Sequence, residues 1–193
     1  MSKIYLREGE VLHGKAGYGL IRRAACLYLG NSKYKTLKSK ELEDIVKQLK
    51  IEVYELGKPY FANLDIEFSL SHTGLMWMCI FDEKPCGIDI QQVKSCKFEA
   101  IADRHFSENE IAYVNLWGEE GFFEIWTAKE AFGKYTGKGI FGEKESLVDD
   151  NHELKQEIAY EGKTVYVKKI ELSPDLKCTY CTESDEMADV VLL

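Results

Sequence analysis

Between residues 15 and 29 the apolar side chains Leu20, Ile21, Ala24, Ala25, Leu27 and Tyr28 recur at helical spacing, interrupted by Arg22 and Arg23. A second amphipathic helix is expected from Ser39, read as its N-cap, with Glu41 to Asp44 in the first turns. A short strand is expected before both, at Ile4–Leu6. The period then changes. Ile66, Phe68 and Leu70 alternate with Ser69 and Ser71, which is a strand with one apolar face, ending at His72. Leu75 to Phe81 is apolar throughout and predicts a strand buried on both faces. Gly87 to Gln91 predicts a third strand, with Ile88 and Ile90 inward and Asp89 and Gln91 sharing the other face. Turns separate these runs at Gly57-Lys58-Pro59 and at Asp82–Pro85. Helices follow at Phe98–His105, at Ser107–Trp117 with a Ser107/Glu110 capping box, and at Gly121–Tyr135. Strand patterns return around Ile158, Thr164–Leu172, Lys177–Cys181 and Val190–Leu193. The order helices, strands, helices, strands predicts an α+β fold in two halves, 1–85 and 86–193.

Composition narrows the class. A chain of 193 residues, 45% hydrophobic and 30% charged, is an ordinary globular protein, and no apolar run approaches a membrane span. The start, Met-Ser-Lys-Ile-Tyr-Leu-Arg-Glu, lacks the apolar core and small-residue cleavage site of a signal peptide, so a cytoplasmic protein is expected. Six cysteines do not suggest a disulfide framework. Cys178 and Cys181 form a lone C-x-x-C on a strand pattern, where residues three apart point to opposite faces, which disfavours a zinc or redox pair. The net charge of −8 argues against nucleic acid as the main partner. That charge is uneven. Residues 1–50 hold 11 Lys and Arg against 5 Asp and Glu, whereas residues 51–193 hold 14 against 28. A basic segment on an acidic chain suits a local anion site, and it equally suits a solvated helix face.

The densest chemistry lies in Trp126–Gly139, where Trp126, Glu130 and Lys134 fall on one helical stripe beside Lys129 and the helix ends in Gly-Lys-Gly. A Glu four residues before a Lys is also an ordinary helix pair worth about 0.3 kcal/mol. What adds weight is the company of Asp89, Gln91, Ser71 and His72 at strand positions. Two carboxylates with an amide suit Mg²⁺, which takes oxygen ligands and keeps waters while gripping a phosphate. Nearby lysines and a histidine suit a polyphosphate. No Gly-x-x-x-x-Gly-Lys-Ser/Thr loop is present, which disfavours a P-loop enzyme.

Five blocks in order carry a family resemblance: Gly57-Lys58-Pro59, Phe68-Ser-Leu-Ser-His-Thr-Gly74, Gly87-Ile-Asp-Ile90, Arg104-His-Phe-Ser-x-x-Glu110, and Trp126-x-x-Lys-Glu-x-Phe-x-Lys-x-x-Gly-Lys-Gly139. Together they resemble the 4′-phosphopantetheinyl transferases of the surfactin-synthetase-activating type. The resemblance implies two pseudo-symmetric α/β halves with the site in the cleft between them. It implies transfer of the phosphopantetheine arm of coenzyme A to a carrier-protein serine, releasing adenosine 3′,5′-bisphosphate. Asp89 and Glu130 would hold Mg²⁺, with Gln91 as third oxygen donor, and Glu130 would serve as general base. Lys129 and Lys134 would neutralise phosphate charge, and His72 would contact a phosphate. Lys58 and Pro59 would pack at the adenine end, Ser71 would line the pocket, and Arg22 or Arg23 or lysines nearby would grip the 3′-phosphate.

Two positions depart from the family pattern: Gln91 stands where a glutamate is common, and Thr73 where serine is usual. The first removes a full negative charge, so weaker or more selective metal binding is expected; the second keeps its hydroxyl. Two other readings stand beside this one: an enzyme using the cleft for another nucleotide-like pyrophosphate, and a coenzyme A or carrier-binding module with weakened catalysis. A monomer with no membrane partner is expected if one chain supplies both sides of the site.

Overall fold

The computed structural model describes residues 1–9, 14–32, 36, 38–140, 142 and 145–193. Strand β1 (Lys3–Glu8) is followed by helices α1 (Gly14–Gly30) and α2 (Ser39–Lys47), and then by strands β2 (Ile51–Val53), β3 (Pro59–Phe61), β4 (Glu67–Thr73), β5 (Met76–Asp82) and β6 (Gly87–Gln92). Helices α3 (Phe98–His105) and α4 (Glu108–Thr136) come next, and β7 (Glu157–Tyr160), β8 (Lys163–Lys169), β9 (Leu176–Thr182) and β10 (Asp189–Leu192) complete an α+β chain. One sheet has the order β10-β1-β5-β4 and a second β6-β9-β8-β7, while β2 and β3 form a separate antiparallel pair. The last strand thus adds to the first sheet, running parallel to β1.

β5 is the element that makes two layers out of one strand. Its odd residues Trp77, Cys79 and Phe81 join a core with Ile21, Ala25 and Tyr28 of α1 and with Leu42 and Val46 of α2. Its even residues Met78 and Ile80 meet Ile88, Ile90, Cys178 and Tyr180 of the second sheet. The two sheets therefore face one another across an apolar layer, as the unbroken hydrophobic run at 75–81 predicts. On the far face of the second sheet, Ala128, Ala131 and Phe132 of α4 close over Val165, Val167 and Cys181. Cys178 and Cys181 lie in these different layers, one on each face of β9, so period-2 geometry keeps the C-x-x-C apart.

Two details differ from the sequence expectation, and a third bears it out. Ser39 is the first helical residue of α2 rather than its cap; Lys38 caps it, and its N–H donates to Glu41 Oε2 at 2.7 Å. The helices expected at 107–117 and 121–135 both form and run on as the two segments of α4, broken between them at Gly118, whose φ of 62° and ψ of −142° fall where only glycine is unstrained. The turn at Gly57-Lys58-Pro59 is the tip of the short β2–β3 hairpin, too short to show a period in the sequence. Other ends agree within two or three residues, and the Ser107 capping box forms as expected: Glu110 N–H donates to Ser107 Oγ at 3.3 Å and Ser107 N–H to Glu110 Oε2 at 2.8 Å.

Candidate active site

The site forms where β6 runs against α4, and glycine makes that approach possible. A Cβ placed on Gly87 would lie 1.9 Å from the Ala131 carbonyl oxygen and 2.6 Å from the Tyr135 nitrogen, so only a bare backbone fits. Two residues on, Asp89 reaches the same helix. Lys134 Nζ donates to Asp89 Oδ1 at 2.7 Å and to the Ile88 carbonyl at 3.0 Å. Ser71 Oγ donates to the same carboxylate oxygen at 2.6 Å, and Gln91 Nε2 donates to Oδ2 at 3.1 Å. Asp89 is 2% exposed, which makes these partners necessary rather than decorative.

Glu130 lies one helical turn before Lys134 and faces the same cleft. Burial raises its carboxyl pKa, the negative charge of Asp89 raises it further, and Lys134 works against both. The cleft, about 260 Å³, is lined by Leu56 to Pro59 from the hairpin tip, Ser69 and Leu70 from β4, and Glu130, Gly133, Lys134, Gly137 and Gly139 from α4 and its end. Gly137 takes the left-handed conformation expected of the Gly-Lys-Gly stop (φ 74°), turning the chain back along the helix. Lys58 is held in place by the Cys86 carbonyl at 3.2 Å and the Glu67 carboxylate at 3.7 Å.

Of the residues singled out from the sequence, Lys58, Pro59, Glu130 and Lys134 therefore share one cleft, with Asp89, Ser71 and Gln91 bonded together at its base. The rest are placed elsewhere. Lys129, one residue before Glu130, turns away and donates to both oxygens of Glu110 at 3.0 and 3.1 Å. His72 is exposed and points to the opposite face of β4 from Ser71. Arg22 donates to the Leu49 carbonyl at 3.1 Å, tying α1 to the end of α2, and Arg23 is exposed on α1. Of the lysines in the basic segment, those at 33 and 35 lie outside the described residues. Sequence reasoning missed Ser69, which lines the cleft, and Leu56; the Ser-x-Ser-x-Thr alternation at 69–73 was the available signal for the first. A larger cavity, about 690 Å³, opens between Trp117 of α4 and Tyr166 to Lys169 of β8, and it includes none of these groups.

Among the described residues no three His, Cys, Asp or Glu side chains converge as a metal cluster. What converges is two carboxylates, Asp89 and Glu130, with the amide of Gln91. The donors are hard oxygens, the kind a small divalent cation takes, and burial is the main cause of the raised Glu130 carboxyl beside them.

Residues 85–181 match the family model of the 4′-phosphopantetheinyl transferase superfamily. The chain is 29% identical over 175 residues to the 4′-phosphopantetheinyl transferase Sfp of Bacillus subtilis (strain 168), covering 86% of this chain and 77% of that protein. It is 32% identical over 134 residues to the 4′-phosphopantetheinyl transferase gsp of Aneurinibacillus migulanus, covering 66% and 56%. It is 32% identical over 148 residues to a 4′-phosphopantetheinyl transferase of Bacillus subtilis, covering 71% and 64%. The chain thus spans less than two thirds of the length of the latter two relatives.

Proposed function

Because the chain belongs to the 4′-phosphopantetheinyl transferase superfamily, we propose that it transfers the phosphopantetheine arm of coenzyme A to a serine of an acyl, peptidyl or polyketide carrier protein. The observation that carries this reading is the pairing of Lys134 with buried Asp89 at 2.7 Å beside the raised carboxyl of Glu130, with Lys134 and Glu130 lining the cleft that Lys58 and Pro59 border.

In this reading Glu130 accepts the proton of the carrier serine, directly or through a water, as the serine oxygen bonds to the β-phosphorus of coenzyme A. The bond from that phosphorus to the bridging oxygen breaks, and adenosine 3′,5′-bisphosphate leaves with the electron pair. A carboxyl with a raised pKa is the better proton acceptor for this step. Lys134 balances charge as it moves onto the leaving phosphate. Mg²⁺, held by Asp89, Glu130 and the Gln91 amide oxygen, would polarise the phosphate oxygens. Lys58 and Pro59 border the adenine end, whereas His72, Arg22 and Arg23 are not among the residues that line the cleft.

Intact-mass spectrometry on a panel of apo carrier proteins with coenzyme A and Mg²⁺ tests the proposal. One phosphopantetheine gained by a carrier, and lost in Glu130→Ala, is the expected result. Bound coenzyme A with no carrier modified would instead support a binding module with Gln91 as the weakened position.

A further inference from the structure

β4 and β6 are edge strands of different sheets, so the outward N–H groups of β6 meet no carbonyl ladder there. Side-chain hydroxyls of β4 meet them instead. Ser69 Oγ accepts from Ile88 N–H at 3.2 Å, Ser71 Oγ from Ile90 N–H at 3.3 Å, and Thr73 Oγ1 from Gln92 N–H at 3.2 Å. The bonds recur every second residue on both strands because alternate residues of each share a face. This hydroxyl ladder joins the two sheets beside the site.

One rung differs from the other two. A hydroxyl carries one proton and two lone pairs, so it can accept and donate together. Ser71 accepts from the Ile90 N–H and sends its own proton to Asp89 Oδ1, 2.6 Å away. Ser71 and Asp89 are both buried, which strengthens the bond and makes its loss costly. Ser69 lines the cleft and Ser71 does not.

We infer that Ser71 is a positioning residue for Asp89. It pins the carboxylate to the main chain of the following residue, so that Oδ1 stays with Lys134 while Oδ2 stays with Gln91. Ser69 and Thr73 supply the same joint between the sheets without touching the carboxylate. This inference rests on the reading that Asp89 contributes to cation binding, and it replaces a direct substrate contact by Ser71.

The test compares wild type, Ser71→Ala, Ser71→Cys, Ser71→Thr and Ser69→Ala. Mn²⁺ affinity is read from the paramagnetic resonance of the free ion, metal-free coenzyme A affinity by calorimetry, and stability by thermal unfolding. Removing a group that orients a metal ligand typically weakens metal binding about 10–100-fold. Ser71→Ala is expected to show that loss with metal-free coenzyme A affinity unchanged. Ser71→Cys, which keeps the volume and a weak donor, is expected to fall between, and Ser71→Thr to restore Mn²⁺ binding. Ser69→Ala, which orphans an equivalent N–H, is expected to lose stability and keep its Mn²⁺ affinity. Wild-type Mn²⁺ affinity in Ser71→Ala and Ser71→Cys would overturn the assignment, as would an equal Mn²⁺ loss in Ser69→Ala or lost metal-free coenzyme A binding in Ser71→Ala. A wild-type protein that binds coenzyme A but no Mn²⁺ would overturn the cation reading itself, and the assignment with it.

Discussion

Lys129→Met separates two roles for a lysine that the family resemblance sets on a phosphate and the structure sets on Glu110. Glu110 has no exposed surface, and four bonds reach its carboxylate: two from Lys129 Nζ, one from Ser107 N–H at 2.8 Å and one from Leu147 N–H at 2.9 Å. It therefore fastens the start of α4 to the segment that follows the cleft. Met fills the lysine's volume but leaves a buried carboxylate with two N–H donors and no counter-charge. Breaking a buried ion pair from one side costs about 3–5 kcal/mol. For a chain of this size that is a fall in Tm of about 6–20 °C. Replacing both partners removes the orphaned charge, so Lys129→Met/Glu110→Gln is expected to recover most of the loss. Urea unfolding of the two single variants and the double variant gives the coupling, and calorimetry gives coenzyme A affinity of the folded protein. A loss under about 1 kcal/mol, together with weakened coenzyme A binding, would refute the structural role and return Lys129 to the phosphate.

Three further outcomes are expected. Gln91→Glu exchanges the amide that donates to Asp89 at 3.1 Å for a third carboxylate; metal titration should show affinity rising about tenfold or more, and an unaltered metal dependence would contradict the role given to Gln91. Gly87→Ala must push β6 away from the Ala131 carbonyl, costing about 1–3 kcal/mol by unfolding and separating Asp89 from Glu130 and Lys134, so the transfer rate should fall more than stability does. In the metal-free protein the pKa of Glu130 is raised, chiefly by burial and further by Asp89. Because the folded state raises this pKa, its stabilising contribution is present at low pH and is lost as pH rises through the folded value. The metal-free protein should therefore weaken over that interval, and Glu130→Gln should flatten the pH dependence of its Tm.

The elements of the fold were legible where a period was long enough to count. The apolar run of β5, the alternation of β4 and β6, the capping box of α4 and its glycine stop are all local patterns, and the structure follows them closely. The β2–β3 hairpin was not legible, because three-residue strands carry no countable period. The break between the two helical segments was legible too: the backbone leaves helical geometry at Gly118, and packing of Val114, Phe122 and Phe123 in one apolar cluster holds the segments together. Helical spacing puts Glu130 and Lys134 on one stripe, whereas nothing in strand position says that Lys134 will bond Asp89; the family resemblance implied that company, and the fold brings the two side chains within 2.7 Å.

Side-chain partners belong to the tertiary structure alone. Helical spacing puts Lys129 one residue from Glu130, which is about 100° around the helix, and nothing in that spacing says what waits on the other side. The fold answers with Glu110, nineteen positions earlier, and so turns an apparent phosphate ligand into a buried ion pair. In the same way Ser71 and Asp89 are eighteen residues apart in the chain and meet only because two sheet edges abut. The sequence by itself determined the helices, the strands and the kinds of group available for chemistry, because these depend on neighbours within a turn or two. Which charge neutralises which, and which hydroxyl aims which carboxylate, was decided by long-range packing, where burial makes every unpaired polar group expensive.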